Sequence, residues 1–298
     1  MGTAAGGGFP QWNCWCRCCR AARSDPESAR PRTQSSVAIS GDGQHWFLLN
    51  ASPDIHDQLA RLPRASTPSQ VRHVPLEAVV LTDAEIDHSL GLVLLREARY
   101  LPLYSTAAVR SVLEQDSRFL TVTRAFADVP WTELPLERSV ELAHRDGTPS
   151  GLSIEAFAVP ADPPRFAAAA EVGHTVGLIA REAPSGRVCV FVPGCGHLTT
   201  DLRQRLAKAD VLLFDGTFFT DDEPATVGIT ARTARQLDHM PIAGGDGSLA
   251  ELATLPCRYR VYTHINNTNP ILLERSPERA IVENAGVMIG HDGLHIVI

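Results

Sequence analysis

Apolar and polar positions divide the chain into short segments whose period separates strands from helices. Val37-Ala38-Ile39 and Trp46-Phe47-Leu48-Leu49, on either side of Gly41-Asp42-Gly43, predict a hairpin, because Asp-Gly supplies the positive φ angles of a tight turn. Ser52-Pro53-Asp54 reads as an N-cap, a proline at the first helical position and an acidic first turn, opening a helix that runs to about Leu62. The wholly apolar Ala78-Val79-Val80-Leu81 passes through Thr82-Asp83 into Asp87-His88-Ser89-Leu90-Gly91-Leu92 and a helical pattern to about Arg99. Further strands are predicted at 176–179, 188–192, 211–214 and 260–263, with a final pair at 287–289 and 294–298. Helices are predicted at 199–208, 248–254 and 277–284, the last opened by Ser276-Pro277-Glu278. Strands and helices alternate, which defines an α/β protein whose sheets are covered by helices. Residues 63–75, 145–151 and 160–173 read as surface loops, the last a candidate active-site flap. Residues 1–34, rich in Gly, Cys, Arg and Ser and without period, form an ordered loop if a metal holds them. With no repeat, low-complexity tract or linker, residues 1–298 are read as one domain.

Composition narrows the function. The 298 residues are 44% hydrophobic and 20% charged, enough to bury a large core. With 27 basic against 34 acidic residues, a net charge of −7 and Lys208 as the only lysine, there is no basic stripe for nucleic-acid phosphates. No apolar run approaches the roughly 18 to 20 residues that cross a bilayer, so a cytoplasmic protein without a membrane span is expected. Of the seven cysteines, Cys14, Cys16, Cys18 and Cys19 are clustered and Cys189, Cys195 and Cys257 are scattered, which does not suit a disulfide framework.

Candidate chemistry gathers at two strand ends. Asp83-Ala84-Glu85-Ile86-Asp87-His88 places four potential metal ligands where a buried strand stops, and ligands in α/β sheets collect at such carboxyl ends. His264-Ile265-Asn266-Asn267-Thr268-Asn269-Pro270 follows another strand. Asp87, His88 and His264 together are two imidazoles and one carboxylate, the set that binds non-haem Fe(II) with positions left open for O₂ and substrate. The same residues also have a plain structural reading, in which Asp87 caps its helix, His88 is a core histidine and His264 ends a strand. His174, Cys195 and Asp215 lie in similar places, after apolar strands or in Gly-flanked turns. Cys14, Cys16 and Cys19 have spacing for a zinc site with Cys18 spare, against the alternative of an oxidisable, redox-sensing tail. His291 and Asp292 are candidates for a fourth ligand. There is neither a phosphate-binding Gly-Lys-Ser/Thr loop nor a Gly-x-Ser-x-Gly elbow.

The runs Ala4-Ala5-Gly6-Gly7-Gly8-Phe9-Pro10-Gln11-Trp12-Asn13-Cys14, Arg32-Thr33-Gln34-Ser35-Ser36, Asn50-Ala51-Ser52-Pro53-Asp54-Ile55, Ile86-Asp87-His88 and His264-Ile265-Asn266-Asn267-Thr268-Asn269-Pro270 resemble the coenzyme PQQ synthesis protein B family, a branch of the metallo-β-lactamase fold superfamily. The resemblance runs from Thr3 almost to the C-terminus. It implies an αββα sandwich and a role in making pyrroloquinoline quinone (PQQ), by iron- and O₂-dependent hydroxylation of the tyrosine ring in a Glu-Tyr precursor unit. Superfamily hydrolases carry His-x-His-x-Asp-His where this chain has Asp83-x-Glu85-x-Asp87-His88, and a bridging Asp where it has Cys195. The first metal site is therefore lost, and a mononuclear Fe(II) centre of Asp87, His88 and His264 remains.

Asp83, Glu85, His174, Asp215, Asn266 and Asn269 are expected around that centre or at the substrate, and Zn(II) on Cys14, Cys16 and Cys19 would fix the wall of the cleft. His174 stands where the family would have Asp, and with Asp83 and Glu85 it could rebuild a weak second metal site. Family members carry a further short strand ahead of the glycine loop, so either the start is placed late or an edge strand is missing. The expected partner is a tyrosine-containing peptide or PQQ itself, with a homodimer an admissible assembly. A non-catalytic carrier, linked to transport of the quinone, and a metal-dependent hydrolase are the competing functions.

Overall fold

The computed structural model describes residues 1–63 and 76–298, so nearly all of the loop expected at 63–75 lies outside the described residues. The chain forms two compact units: Met1, Ser36–Ala158 and Asp162–Gly186 in the first, Gly2–Ser35, Val159–Ala161 and Arg187–Ile298 in the second.

The first unit holds two groups of strands. Strands β1 (Val37–Ile39), β2 (Trp46–Leu49), β3 (Leu76–Val80), β4 (Leu103–Ser105) and β5 (Trp131–Glu133) form a sheet in sequence order, antiparallel at β1–β2 and parallel thereafter. The predicted hairpin is present with Ala38 opposite Leu48, but its connection is Ser40–His45 rather than a two-residue turn, and Asp42 Oδ1 accepts from the Gln44 and His45 amides. Strands β6 (Ser139–Ala143), β7 (Pro149–Ala158) and β8 (Val176–Glu182) make an antiparallel meander. Residues 149–151 thus open a strand instead of closing a loop. The alternation of Leu152, Ile154 and Ala156 inward with Ser153 and Glu155 is the period-two signal that marks β7. A core including Leu48, Val79, Leu81, Ala84, Leu92 and Leu103 lies behind the first sheet.

The helix expected from Asp87 to Arg99 is broken into Ile86–Ser89, Gly91–Leu94 and a 3₁₀ turn at Arg96–Ala98. The cause is a competing partner: the His88 carbonyl accepts from Ala51 N at 2.7 Å, and Gly91 N donates to the Ala51 carbonyl at 2.9 Å. Both groups are thereby withdrawn from the helical ladder. Only glycine permits the approach, since a Cβ at Gly91 would lie 2.5 Å from Ser52 O and 2.6 Å from Ala51 O. Gly91→Ala is accordingly expected to cost about 2 to 3 kcal/mol, because backbone and not a flexible side chain must yield; urea unfolding checks this.

In the second unit, β9 (Val188–Val192), β10 (Val211–Asp215), β11 (Tyr259–Thr263) and β12 (Met288–Ile289) run parallel and adjacent in that order. Helices Thr200–Leu206, Ser248–Leu252 and Pro277–Asn284 lie in the crossovers, close to the expected spans. Parallel strands bring their carboxyl ends to one edge, so Pro193, Asp215 and His264 stand in a row there. Residues 294–298 form no strand. The N-terminal segment is more regular than its composition predicts. It contains the helix Arg17–Ser24, and Ala4 bridges both Gln34 and Ile265. Ile265 N donates to Thr3 O and Ala5 N to Ile265 O, each at 2.9 Å, so this segment clamps the residue after His264.

Candidate metal centre

In the first unit the site begins where β3 ends. Asn50 is buried with φ 62°, a left-handed conformation that asparagine tolerates better than most side chains. Its Oδ1 accepts from Thr82 N at 2.9 Å, and its Nδ2 donates to Thr82 Oγ1 at 2.8 Å. Thr82 Oγ1 lies 2.7 Å from Asp83 Oδ2, and Glu85 N donates to Asp83 Oδ1 at 2.9 Å. The buried Asp83 carboxylate then takes His88 Nδ1 at 2.7 Å. Nδ1–H donation to a carboxylate fixes the tautomer in which Nε2 is the ligating nitrogen, and Asp87 Oδ2 lies 3.7 Å from that Nε2.

Charge in this cluster is unbalanced. Burial alone would lower His88, but Asp83 and Asp87 raise it to about 9. Burial, then Asp83 and Asp87, raise Glu85 to about 7. Asp83 is pushed up by burial, yet the neighbouring His88 charge and hydrogen bonds from His88, Thr82 and Glu85 hold it below the ordinary carboxylate value. Three carboxyl groups around one imidazole are an environment that favours a cation. His88 is raised from 6.5 to about 9, so its stabilisation is complete below 6.5 and is lost as pH rises through about 9. Metal-free protein is expected to lose stability across that window, and Asp83→Asn to flatten the dependence; thermal unfolding against pH measures both.

The second unit presents its own cluster at the ends of β10 and β11. His264 has φ 54° and its ring stacks on His239, with centroids 5.3 Å apart. Asp215, fully buried, accepts from Cys195 N at 3.1 Å and Thr217 N at 3.0 Å, and its Oδ2 lies 2.8 Å from His239 Nδ1. Thr217 Oγ1 is 2.6 Å from Asp215 Oδ1 and 2.9 Å from His264 Nδ1. A hydroxyl has one proton to give, so donating it to the carboxylate leaves the oxygen to accept from His264 Nδ1–H. His264 Nε2 is then the nitrogen directed to ligation. Ligand atoms of Asp215, His239 and His264 all lie within 4.8 Å of one another. His239 is the residue that sequence reasoning misses: it follows no apolar strand, and only its contact with Asp215 reveals it.

The cysteine cluster lies in the second unit too. One sulfur each from Cys14, Cys16 and Cys19 falls within 4.8 Å of the others, and no further His, Cys, Asp or Glu among the described residues joins them. Cys18 is not one of those three sulfurs, and its thiol lies 3.4 Å from Thr268 O. Cys16 Sγ caps the following helix by accepting from Cys19 N at 3.4 Å. Hydrogen bonds from the Cys18 and Cys19 thiols hold Cys16 far below the ordinary thiol value and push those two up. Asn267 Nδ2 donates to Cys19 Sγ at 3.3 Å, and Cys16 Sγ lies 3.5 Å from Asn267 O, so the cysteines grip the loop that follows His264. His291 and Asp292 are elsewhere: Asp292 Oδ2 accepts from Thr33 N at 2.8 Å and Thr33 Oγ1 at 2.7 Å.

Other expected site residues have structural partners. Asn269 Nδ2 donates to Gly216 O at 2.9 Å and its Oδ1 accepts from Ile271 N at 3.1 Å, tying the Thr217 turn to the next 3₁₀ helix. Asn266 Nδ2 donates to Thr268 Oγ1 at 2.6 Å. His174 Nδ1 accepts from Glu171 N at 2.7 Å. Among the described residues, no group of three mutually close ligand atoms contains Asp83, Glu85 or His174, so the second site imagined from them is not assembled. Cys195 is buried and pushed up to about 12 by burial and then by Asp215, which keeps it a thiol.

Residues 45–265 match the Beta-lactamase superfamily domain, which makes the chain a metallo-β-lactamase fold protein of α/β class. Full-length relatives narrow this. The chain is 42% identical to coenzyme PQQ synthesis protein B of Gluconacetobacter diazotrophicus, over 99% of this chain and 97% of that one. It is 43% identical to the protein of the same name from Rhizobium meliloti, over 99% and 96%. The chain belongs to the coenzyme PQQ synthesis protein B family. The crystal structure of Zn(2+)-bound PqqB from Methylobacterium extorquens is 40% identical, with TM-score 0.90 and coverage of 100% of this chain and 98% of that one. A diphosphatase of the PhnP family, 20% identical with TM-score 0.66 over 98% and 93%, shares the fold. No helix among the described residues is long and apolar enough to cross a membrane.

Proposed function

We propose that the chain acts in PQQ biosynthesis as a non-haem iron hydroxylase, with Asp87, His88 and His264 holding Fe(II) and the tyrosine ring of a Glu-Tyr precursor unit as substrate. The observation that carries this reading is the state of the two imidazoles. Each has Nδ1 occupied, by Asp83 at 2.7 Å for His88 and by Thr217 at 2.9 Å for His264, which presents Nε2 in both cases. Two such nitrogens and one carboxylate suit Fe(II) and leave coordination positions open. The chemistry an iron there supplies when bound is activation of O₂ as co-substrate. The chain's own part is to set ligand direction: Asp83 and Asn50 through Thr82 on one side, Asp215 through Thr217 on the other.

Hydrolysis is disfavoured because the positions of the first metal site carry Asp83 and Glu85, and Asp83 is spent on His88. Zn(II) at Cys14, Cys16 and Cys19 supports the loop after His264 through Asn267. Protein purified without oxygen and loaded with Fe(II) is expected to consume O₂ with a tyrosine-containing Glu-Tyr peptide. Equal turnover with Zn(II) and no O₂ uptake would mean hydrolysis, and tight quinone binding without turnover would mean a carrier.

A further inference from the structure

His239 lies outside the proposed ligand set, yet its ring is fixed against the proposed ligand His264 within the second unit. Its backbone is tied on both sides, His239 N donating to Ala234 O at 3.0 Å and Met240 N to Cys195 O at 2.7 Å. Two rings hold the imidazole: it stacks on His264 with centroids 5.3 Å apart and planes 24° apart, and it meets Phe218 edge-on at 6.0 Å. Thr217 Oγ1 lies 3.1 Å from His239 Nδ1 and 2.9 Å from His264 Nδ1, so both imidazoles are anchored at one oxygen. The His239 side chain keeps 20% of its surface exposed, while the Asp215 carboxylate that it touches has none.

The hydrogen bonds set what that ring offers. Asp215 Oδ1 accepts from Thr217 N at 3.0 Å and from Thr217 Oγ1 at 2.6 Å, and its Oδ2 accepts from Cys195 N at 3.1 Å. A carboxylate so surrounded acts as an acceptor, which makes the 2.8 Å contact with His239 Nδ1 an Nδ1–H donation. The tautomer that donates from Nδ1 carries its lone pair on Nε2. Rings anchored at one oxygen with centroids 5.3 Å apart present neighbouring edges, so this acceptor borders the nitrogen that His264 directs to ligation. An aromatic ring entering there with a hydroxyl group gains a hydrogen bond. A ring without one forfeits that bond and still strips water from the acceptor, which is how a fixed polar group discriminates between two such rings.

We propose that His239 Nε2 accepts a hydrogen bond from the phenol hydroxyl of the substrate's tyrosine, which selects that ring over an unhydroxylated one and holds it beside His264. This rests on the Glu-Tyr reading above. The test is anaerobic equilibrium binding to the iron-loaded protein of two end-blocked peptides, one containing Glu-Tyr and the other Glu-Phe. Wild type is expected to bind the tyrosine peptide about tenfold more tightly than the phenylalanine one. His239→Asn keeps a donor for Asp215 but carries nothing at the Nε2 position, so it should retain iron and bind both peptides at the weaker level. His239→Gln returns an amide to that position and should recover part of the preference. Wild type binding both peptides alike, His239→Asn keeping the preference, or His239→Asn losing its iron overturns the assignment of His239 and leaves the hydroxylase reading standing. Wild type binding neither peptide overturns the Glu-Tyr reading and this inference with it.

Discussion

Replacing His264 by alanine is expected to abolish iron binding at the cleft and all O₂-dependent turnover, while zinc at the cysteines is retained. The imidazole is one of three proposed ligands, and its loss should cost more than the roughly 10- to 100-fold in metal affinity that removal of an outer partner costs. The backbone at His264 has φ 54° and is held on both sides: Gly216 N donates to Thr263 O at 2.8 Å, and Ile265 N to Thr3 O at 2.9 Å. Alanine also has a Cβ and meets the same left-handed strain, so the variant should keep its fold. Circular dichroism, iron content and oxygen uptake separate these effects. Full turnover in this variant would remove His264 from the chemistry.

Replacing Cys16 by serine is expected to release the zinc and to destabilise the second unit by about 3 kcal/mol or more, in the range that accompanies loss of a metal. Cys16 does three things at once: its sulfur belongs to the three-sulfur cluster, accepts from Cys19 N at 3.4 Å and lies 3.5 Å from Asn267 O. The loop after His264 should loosen, so iron affinity should fall as well, though less than in His264→Ala. Cys18→Ser is the contrasting variant. Its hydroxyl can still donate to Thr268 O, and zinc content should stay at one per chain. Zinc titration with a chromogenic chelator and thermal unfolding read both outcomes. Zinc retained by Cys16→Ser would contradict the proposed ligand set.

The strands β3, β9 and β10 were legible because each is a short, largely apolar run ended by polar residues, the mark of a strand buried on both faces. The same pattern singled out Asp83, Asp87, His88, Asp215 and His264, since ligands in α/β proteins collect at the carboxyl ends of such strands. What stayed hidden depends on distant partners. The break after His88 comes from Ala51, some forty positions earlier, and no local period announces it. His239 becomes a site candidate only through the 2.8 Å contact with Asp215, and it sits in an irregular stretch without apolar alternation. The order of residues 1–34 likewise comes from pairing of Ala4 with Gln34 and Ile265, which composition cannot foretell.

The central claim is that one chain carries two chemically different metals, iron on two imidazoles and a carboxylate and zinc on three thiolates. Metal content after anaerobic purification, measured for the wild type and for His264→Ala and Cys16→Ser, tests it directly. One iron and one zinc per chain are predicted, with His264→Ala losing the iron and Cys16→Ser the zinc; two zincs per chain, one of them lost with His264 and no iron in any preparation, would contradict it.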